Sequence, residues 1–218
     1  MTRVVSPAQA VSVIGDGASV MVAGFMCCGN AYRLIDALLA HGASELTLIT
    51  NDGGFPERGV GKLIVAGQVR QLIASHIGTN PVAGAKMHDG SMSVELVPQG
   101  SLAERIRCAG AGLGGVLTPT GVGTACERGK RKVRVDGHTY LLETPLAADF
   151  ALVRAAVCDR LGNAHVAKAG KNFSLVMAMA ARHTIVEAIE LVEPGQLDPE
   201  LVTIPAVFVR TIAWAGAA

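Results

Sequence analysis

The residues of this chain whose types and spacing could do chemistry are glycines and neutral amides rather than charged groups. Residues 24–30 read GFMCCGN after a short apolar run, and Asn51 and Gln99 stand near the ends of two further apolar runs. Glycine lets a backbone approach a ligand closely and leaves its N–H groups open as donors. Such donors, joined by carboxamides, suit a polarised carbonyl or a carboxylate. We therefore predict a ligand site here; the alternative is that Asn51 and Gln99 only cap their loops.

Cysteine and histidine give no comparable pattern. The five cysteines are odd in number and contain no C-x-x-C pair, so neither a disulfide framework nor a zinc site is predicted. The six histidines show no metal-ligand spacing, and we predict no metal site. Cys28 could be an acyl-carrying nucleophile, although the sequence assigns no base to it. The alternative is that Cys27 and Cys28 are small packing residues of their loop.

A glycine-rich block lies between residues 97 and 124. It contains Gly110, Gly112 and Gly115 at the G-x-G-x-x-G spacing of dinucleotide-binding loops. In those loops a strand precedes the glycines, whereas here the helical run SLAERIRCA precedes them, with Ser101 and Glu104 predicted to form a capping box. The phosphate-loop pattern G-x-x-x-x-G-K-[ST] does not occur in the sequence. The sequence therefore argues against dinucleotide binding and nucleotide hydrolysis.

The composition indicates a chain with apolar surface to bury. Of its 218 residues, 50% are hydrophobic and 17% are charged, and the mean hydropathy is +0.40. Burial in a subunit interface would account for this balance. The apolar runs end before the roughly 20 residues that a membrane span requires, and the first residues lack a secretory signal pattern. We expect a single cytoplasmic domain over residues 1–218.

The charged residues form one local cluster, which is basic. The net charge of +1 leaves no broad footprint for nucleic acid. Residues 128–134 read RGKRKVR and contain five basic side chains. They form either a solvated surface strand or turn, or a subsite for a phosphate-bearing ligand.

Strand and helix signals alternate along the chain, and we find no internal repeat. Apolar runs predict strands at residues 19–23, 45–50, 71–75, 94–97 and 150–156. One helix is predicted to start after Ser6, a second to end at Gly42, and a third to cover residues 172–181. An Asp-Gly pair predicts a hairpin over residues 132–143. This alternation predicts an open, mainly parallel, twisted α/β sheet with helices on both faces and a small β-hairpin excursion.

Ligands of such sheets gather at the carboxyl ends of the strands. Four predicted strands are followed by polar or glycine-containing loops, at residues 24–30, 51–54, 75–80 and 98–100. We therefore expect these four loops to lie along one edge of the sheet.

Three stretches carry a resemblance to a known family. They are DGASVMVAGFMCCGN from Asp16, VELVPQGSLAERIRCAGAGLGGVLTPTGVGT from Val94, and the spaced motifs ADFALVRA, CDRLGNA, KNF and MAMAA. In this order they resemble the alpha subunits of two-subunit, family I coenzyme A transferases from about residue 6 to residue 209. The segment SHIGTN at residues 75–80 makes the chain most similar to the acetate and acetoacetate branch of the family, and the 3-oxoadipate branch is almost as similar.

The resemblance implies a reaction and a partner. CoA would pass from an acyl-CoA to a short-chain carboxylic acid by ping-pong exchange through a glutamyl-CoA thioester. The glutamate of this family lies on a separate beta subunit, so no catalytic residue is expected in this chain, and coenzyme A enters as a substrate. Asn51 and Gln99 match positions that face the reacting carboxyl. The loop that contacts CoA matches Gly24, Phe25, Met26, Cys27, Cys28, Gly29 and Asn30.

The chain departs from the family pattern at four positions. Ala23 stands where a glycine is usual, and Ala31 stands where a proline is typical, which loosens the exit of the loop. Ser174 and Leu175 replace the expected Asn or Gly and then Pro, so no role is carried onto them.

Three alternatives stay open. A nucleophile could lie in this chain after all, at Glu57 or Glu127, each of which is followed by Arg-Gly. The chain could instead be a CoA- or anion-binding module without catalysis. It could also be a thioesterase-like hydrolase, which would release free CoA without an acceptor acid.

Overall fold

The computed structural model of the chain describes residues 2–216 and is built around a nine-stranded sheet. The strands are β1 (Arg3–Val5), β2 (Ser19–Val22), β3 (Leu46–Thr50), β4 (Val69–Ala74), β5 (Ser93–Leu96), β6 (Val116–Thr118), β7 (Lys132–Val135), β8 (His138–Glu143), β9 (Ala148–Asp159), β10 (Ala164–His165), β11 (Ala181–Val192) and β12 (Val209–Trp214). The helices are α1 (Pro7–Val11), α2 (Tyr32–His41), α3 (Gly61–Val65), α4 (Pro81–Asp89), α5 (Gln99–Gly110) and α6 (Ser174–Ala180).

The strand order of the large sheet is β1-β12-β11-β9-β2-β3-β4-β5, with β10 paired to β9. All pairs along this order are parallel, and within residues 2–216 the sheet has one antiparallel pair, β10 with β9. The prediction of an open, mainly parallel sheet is confirmed. Because β2, β3, β4 and β5 are adjacent and parallel, their carboxyl ends lie along one edge.

Helices cover both faces of the sheet, which was also predicted. Successive side chains of a strand point to opposite faces, and on β2 Val20 and Val22 join a core with α1 to α4, while Met21 joins a second core with α5 and α6. Leu34 of α2 and Met177 of α6 are fully buried in these two cores. Each such side chain stabilises the fold by about 1.5–3 kcal/mol. The sheet is therefore held rigid from both sides.

Local turn signals are confirmed at several places. Ser6 caps α1 through a capping box with Gln9, and Gly42 ends α2 in the left-handed region at φ 81°. Asp136 and Gly137 also have positive φ, at 47° and 79°, and they join β7 to β8. This hairpin pairs with β6 in a separate three-stranded antiparallel sheet, which is the predicted excursion.

The sequence predictions fall short around β9. The strand predicted at residues 150–156 spans Ala148–Asp159, and the helix predicted at 172–181 is shorter, at Ser174–Ala180. The sequence does not predict the long strand β11, although it pairs in parallel with β9 along its whole length. Arg182 and Glu187 interrupt the apolar pattern of β11, so its extended state depends on the neighbouring strands.

The capping box predicted at Ser101 and Glu104 is wrong. The N-cap position of α5 is three residues earlier, at Pro98, and has no side-chain cap, so the helix begins at Gln99. The physical reason is that the Pro98 carbonyl already accepts the Leu102 N–H at 2.9 Å, which places the first turn ahead of Ser101. The Ser101 hydroxyl is buried without a hydrogen-bond partner among the described residues.

The three glycines at dinucleotide-loop spacing follow a helix, in agreement with the sequence analysis. Gly110 is the last residue of α5, and Gly112 and Gly115 have positive φ on the way to β6. A Cβ on Gly110 would lie 2.6 Å from the Cβ of Met179. This glycine therefore lets α5 approach α6 closely.

We expect Gly110→Ala to destabilise the protein. The added methyl group meets Met179 and the backbone of Ala180, and overpacking of this kind costs about 1–3 kcal/mol. Gly100→Ala is the matched control, because it lies on the same helix and a Cβ there would have no neighbour within 4 Å, so it should be neutral or stabilising by up to about 1 kcal/mol. Urea unfolding measures both variants, and equal midpoints would contradict the close packing of the two helices.

Candidate active site

Three of the four predicted loops contact one another at the carboxyl edge of the sheet. The Met26 N–H donates to Asp52 at 2.7 Å, which joins the loop after β2 to the loop after β3. The Asn80 side chain donates to the Gly53 carbonyl at 2.9 Å, which adds the loop after β4. The fourth segment, residues 98–100, is the junction of β5 with α5, and Gln99 lies on the helix.

The first glycine loop is a tight hairpin. The backbones of Phe25 and Cys28 exchange two hydrogen bonds, at 3.0 and 2.8 Å. The two central residues, Met26 and Cys27, have φ of 48° and 64°. Non-glycine residues in the left-handed region cost of order 1–3 kcal/mol each, so the surrounding contacts must hold this conformation. The hairpin leaves the side chains of Phe25 and Met26 48% and 38% exposed.

Asp52 is the main contact that holds the hairpin, and the sequence analysis did not select it. One carboxylate oxygen accepts the Met26 N–H at 2.7 Å and the Asn51 amide at 2.9 Å. The other oxygen accepts the Gly54 N–H at 3.0 Å. The residue is only 3% exposed, so its charge is stabilised by these three donors. The sequence signal that could have identified Asp52 is an acidic residue next to Asn51, at the end of an apolar strand.

Asn30 lies inside the hairpin rather than on its outer surface. Its Nδ2 donates to the Ala23 carbonyl at 2.8 Å, and its Oδ1 accepts the Val60 N–H at 3.4 Å. A Cβ on Gly24, whose φ is 142°, would collide with the Asn30 amide. The structure therefore requires glycine at position 24, and any role of Asn30 towards a ligand passes through the shape of the loop.

A second hairpin repeats the first. Gly54, Phe55 and Gly59 have the G-F-x-x-x-G spacing of residues 24–29, and the Arg58 N–H donates to the Phe55 carbonyl at 3.1 Å. Gly54 and Gly59 have positive φ, and the Cys27 thiol lies 3.5 Å from the Arg58 carbonyl. This short repeat corrects the sequence analysis, which found none. The two hairpins pack side by side.

Two arginines approach the aromatic ring of Tyr32, which stands behind the first hairpin. The Tyr32 hydroxyl donates to the Cys27 carbonyl at 2.7 Å and accepts from Arg58 Nε at 3.1 Å. The guanidinium carbons of Arg58 and Arg154 lie 5.4 and 5.6 Å from the ring centroid. These are cation–π distances, and they concentrate positive charge beside the hairpin.

A cleft of about 330 Å³ opens next to Cys28 and Gly29. Arg154 and Lys168 supply its charged side chains, and Ile189 is part of its apolar wall. Gly29 has φ 92°, and a Cβ there would lie 2.9 Å from the Cα of Gly170. The hairpin therefore forms part of the cleft wall, and at Gly29 its backbone packs closely against Gly170, which also lines the cleft.

Glu187 of β11 fixes the helix that follows the hairpin. One of its oxygens accepts the N–H groups of Arg33 and Leu34 at 2.8 and 3.0 Å. Helix α2 lacks a side-chain cap at Ala31, so this carboxylate satisfies its first donors and complements the positive helix end. Burial raises the pKa of Glu187. Arg154 Nε lies 3.7 Å from its other oxygen and has no hydrogen-bond partner among the described residues.

The structure does not bring Asn51 and Gln99 into contact. Asn51 is buried, and its amide is engaged by Asp52 at 2.9 Å and by the Ser75 hydroxyl at 3.3 Å. Gln99 is exposed and lines a smaller cleft, of about 180 Å³, with Asn172 and Phe173. Asn172 in turn donates to the Cys28 carbonyl at 3.1 Å. Gln99 therefore shares a cleft with Asn172, which is bonded to the hairpin, whereas Asn51 is hydrogen-bonded to Asp52, which holds the hairpin.

The remaining candidates separate into buried and surface groups. Cys27 is buried, and desolvation raises the pKa of its thiol, whereas Cys28 is exposed at the cleft. Glu127 forms an ion pair with Lys132 at 2.8 Å, and the neighbouring Lys130 pairs with the buried Glu143. Residues 128–134 thus form a surface turn and strand in which ion pairs neutralise the two lysines.

Residues 2–216 contain no cluster of three or more potential metal ligands. In the same range, no helix is long and apolar enough to cross a membrane.

We expect Asp52→Asn to loosen the hairpin. The substitution removes a charge and turns an NH2 group towards N–H donors, and the loss of hydrogen bonds to a charged group costs about 1.5–3 kcal/mol. Asp36→Asn is the control, since Asp36 is exposed and its one ion-pair partner among the described residues is Lys62, and the free energy of unfolding should change by no more than about 0.5 kcal/mol. Hydrogen exchange of the Met26 amide, measured with the unfolding midpoint, tests this. Unchanged protection at Met26 would show that Asp52 does not hold the loop.

Known proteins resemble this chain over nearly its whole length. The chain is 51% identical over 211 residues to the alpha chain of the acetate CoA-transferase of Escherichia coli (strain K12), covering 97% of this chain and 96% of the relative. It is 45% identical over 216 residues to one of the subunits of the 3-oxoadipate CoA-transferase of Pseudomonas putida, covering 98% and 94%.

A solved structure has the same fold. It is an acyl-CoA transferase from Escherichia coli O157:H7, described as a thioester complex with CoA, with a TM-score of 0.85 and 24% identity. The match covers 98% of this chain and 47% of that one, so the chain spans about half the length of the solved protein. Residues 4–215 match the family described as Coenzyme A transferase. The chain therefore belongs to the coenzyme A transferase family.

Proposed function

We propose that this chain is the alpha subunit of a cytoplasmic CoA-transferase that moves CoA from an acyl-CoA to a short-chain carboxylic acid. The exchange is ping-pong and passes through a glutamyl-CoA thioester. The glutamate is supplied by a beta subunit, so this chain holds half of the active site. The family match and the relatives, which are themselves single subunits of CoA-transferases, support the proposal.

The observation that carries this proposal is that both buried carboxylates beside the hairpin are already engaged. Asp52 is held by the N–H groups of Met26 and Gly54, and Glu187 by the first N–H groups of α2. A carboxylate nucleophile needs an oxygen that is free to attack. Asp52 has no such oxygen, and the remaining oxygen of Glu187 faces Arg154 at 3.7 Å. Both acids therefore have structural partners, which supports a nucleophile on another chain and weighs against a hydrolase that works alone.

The cleft beside Cys28 and Gly29 is the best place for CoA in this chain. Its guanidinium and ammonium groups, from Arg154 and Lys168, suit the phosphates of CoA, and its apolar wall suits the pantetheine arm. Phe25 and Met26 present an exposed apolar tip next to it, which fits a surface that the beta subunit covers. The family resemblance assigns Gln99 to the reacting carboxyl, and its side chain is free to donate there.

For the acid, we propose acetate or acetoacetate rather than 3-oxoadipate. The identity to the acetate CoA-transferase chain is 51%, against 45% to the 3-oxoadipate CoA-transferase chain. Assay of the reconstituted pair against acetate, butyrate, acetoacetate and 3-oxoadipate ranks the acceptors by kcat/KM. A preference for 3-oxoadipate would overturn this assignment and leave the transferase proposal intact.

We expect no acyl exchange from the purified chain alone and full exchange after co-expression with its beta subunit. The reason is that both buried carboxylates beside the hairpin hold backbone in place: both oxygens of Asp52 accept hydrogen bonds, and Glu187 binds the start of α2 with one oxygen while the other faces Arg154 at 3.7 Å. Exchange of labelled CoA between acyl-CoA and free acid is the measurement. Strong exchange by the lone chain would contradict the split site, and steady release of free CoA without an acceptor would indicate a hydrolase.

We expect Gln99→Ala to lower kcat of the reconstituted enzyme by about 10²-fold, because it removes a donor at the developing oxyanion. The fold should be unaffected, since the Gln99 side chain is exposed at the start of α5. Gln196→Ala is the control, because Gln196 is exposed and its side chain accepts the Glu193 N–H of its own turn, away from both clefts. Normal kcat in Gln99→Ala, with an unchanged melting temperature, would remove Gln99 from the active site.

A further inference from the structure

A second and larger cleft lies at the opposite edge of the sheet, where β1, β11 and β12 begin. Its volume is about 430 Å³, which falls in the range of roughly 300–1,000 Å³ that is common for ligand sites. Its apolar surface comes from Val5, Ala10 and Val13, and its polar lining comes from Arg3, Gln9, Ser12, His183, Arg210 and Thr211. It shares no lining residue with the cleft beside Cys28 and Gly29.

A break in strand register accounts for the position of Arg210. Thr184 of β11 pairs with Val209, but the next residue, Ile185, pairs with Thr211, so Arg210 is an extra residue in β12. Such bulges are rare in parallel sheets, and they redirect a side chain. Arg3 pairs with Thr211 on the other side of β12. The bulge therefore brings two guanidinium groups from neighbouring strands to one cleft.

The positive charge of this cleft is not neutralised from within the described part of the chain. Among residues 2–216, neither Arg3 nor Arg210 has an acidic group within ion-pair distance. The nearby acid on β9, Asp149, faces Arg182 at 3.8 Å and is bound by Ser19 at 2.7 Å.

The other polar groups of the cleft are fixed in place. His183 Nε2 lies 2.9 Å from the Thr211 hydroxyl, and its ring packs on Phe150 with centroids 5.6 Å apart. Burial, and secondarily the charge of Arg210, lowers the pKa of His183. The side-chain oxygen of Gln9, Oε1, accepts the Ser6 N–H at 3.1 Å, which leaves the side-chain NH2 group as a further donor.

We propose that this cleft is a binding site for a small organic anion, with a carboxylate held between Arg3 and Arg210. Guanidinium groups bind carboxylates through paired, charge-assisted hydrogen bonds. The carbon chain of the ligand lies on Val5, Ala10 and Val13, and this apolar wall favours a carboxylic acid over inorganic phosphate. Because the site is on the edge opposite to the glycine hairpins, it is independent of the proposed transferase function.

The test is an NMR titration of the His183 ring in the full chain, with succinate as the probe and inorganic phosphate as the comparison. A bound anion stabilises the charged imidazolium, so succinate should raise the pH midpoint of His183, whereas binding at the opposite edge would not. Arg3→Gln and Arg210→Gln should each weaken succinate binding about tenfold or more. Arg160→Gln is the control, because Arg160 is exposed and paired with Glu193, and it should bind as the native chain does.

Arg210→Gln needs a separate check of its folding. Loss of the neighbouring positive charge should raise the midpoint of His183, but unfolding would raise it too, because burial lowers this pKa in the native chain. An unchanged midpoint of urea unfolding is therefore the evidence that the variant is folded. Should that variant fail to fold, Arg3→Gln on the edge strand still tests the site. Equal succinate affinity in the native chain and both variants would overturn the proposal. A response to phosphate alone would overturn the assignment to an organic anion, and loss of the response in the complex with the beta subunit would overturn the proposal for the assembled enzyme.

Discussion

The buried carboxylate of Asp52 is the interaction on which the candidate active site depends. It receives three hydrogen bonds from groups that belong to both glycine hairpins and to the end of β3. Without these donors, a charge at 3% exposure would be strongly destabilising. With them, the bonds are charge-assisted and short, and they compensate for the left-handed backbone of Met26 and Cys27. The strained hairpin and the buried acid therefore stabilise each other.

The sheet makes this arrangement rigid. The strands that carry the hairpins, β2 and β3, are adjacent and parallel. Two hydrophobic cores, one on each face of the sheet, pack against both strands. Glu187 extends the support from the centre of the sheet to the start of α2, and Arg154 lies between Glu187 and Tyr32. The position of the hairpin is thus set by elements that are distant in the sequence, β11 and β9.

The two edges of the sheet have different electrostatic character. At the carboxyl edge, the acids are engaged by backbone donors and the nearby cations face a cleft. At the amino edge, two arginines lie beside a cleft with no acidic partner among residues 2–216. Arg3 and Arg210 are both exposed, so water solvates their charges in the absence of an acidic partner. The chain therefore supplies an acidic partner to Arg154, since Glu187 lies 3.7 Å away, whereas the described residues supply none to Arg3 and Arg210.

The sequence by itself determined the class of fold, the edge that carries the loops, and the family. These follow from local signals: apolar runs of strand length, capping at Ser6, the left-handed Gly42, and an order of motifs that reads as one pattern along the chain. The tertiary structure decided what each polar residue does. Asn51 proved to be a buried support and Gln99 a helix residue, while Asp52, Glu187 and Arg210 gained their roles from the segments packed around them. A side chain's burial and its hydrogen-bond partners depend on the register and packing of segments far apart in the chain, and local pattern carries no information about these.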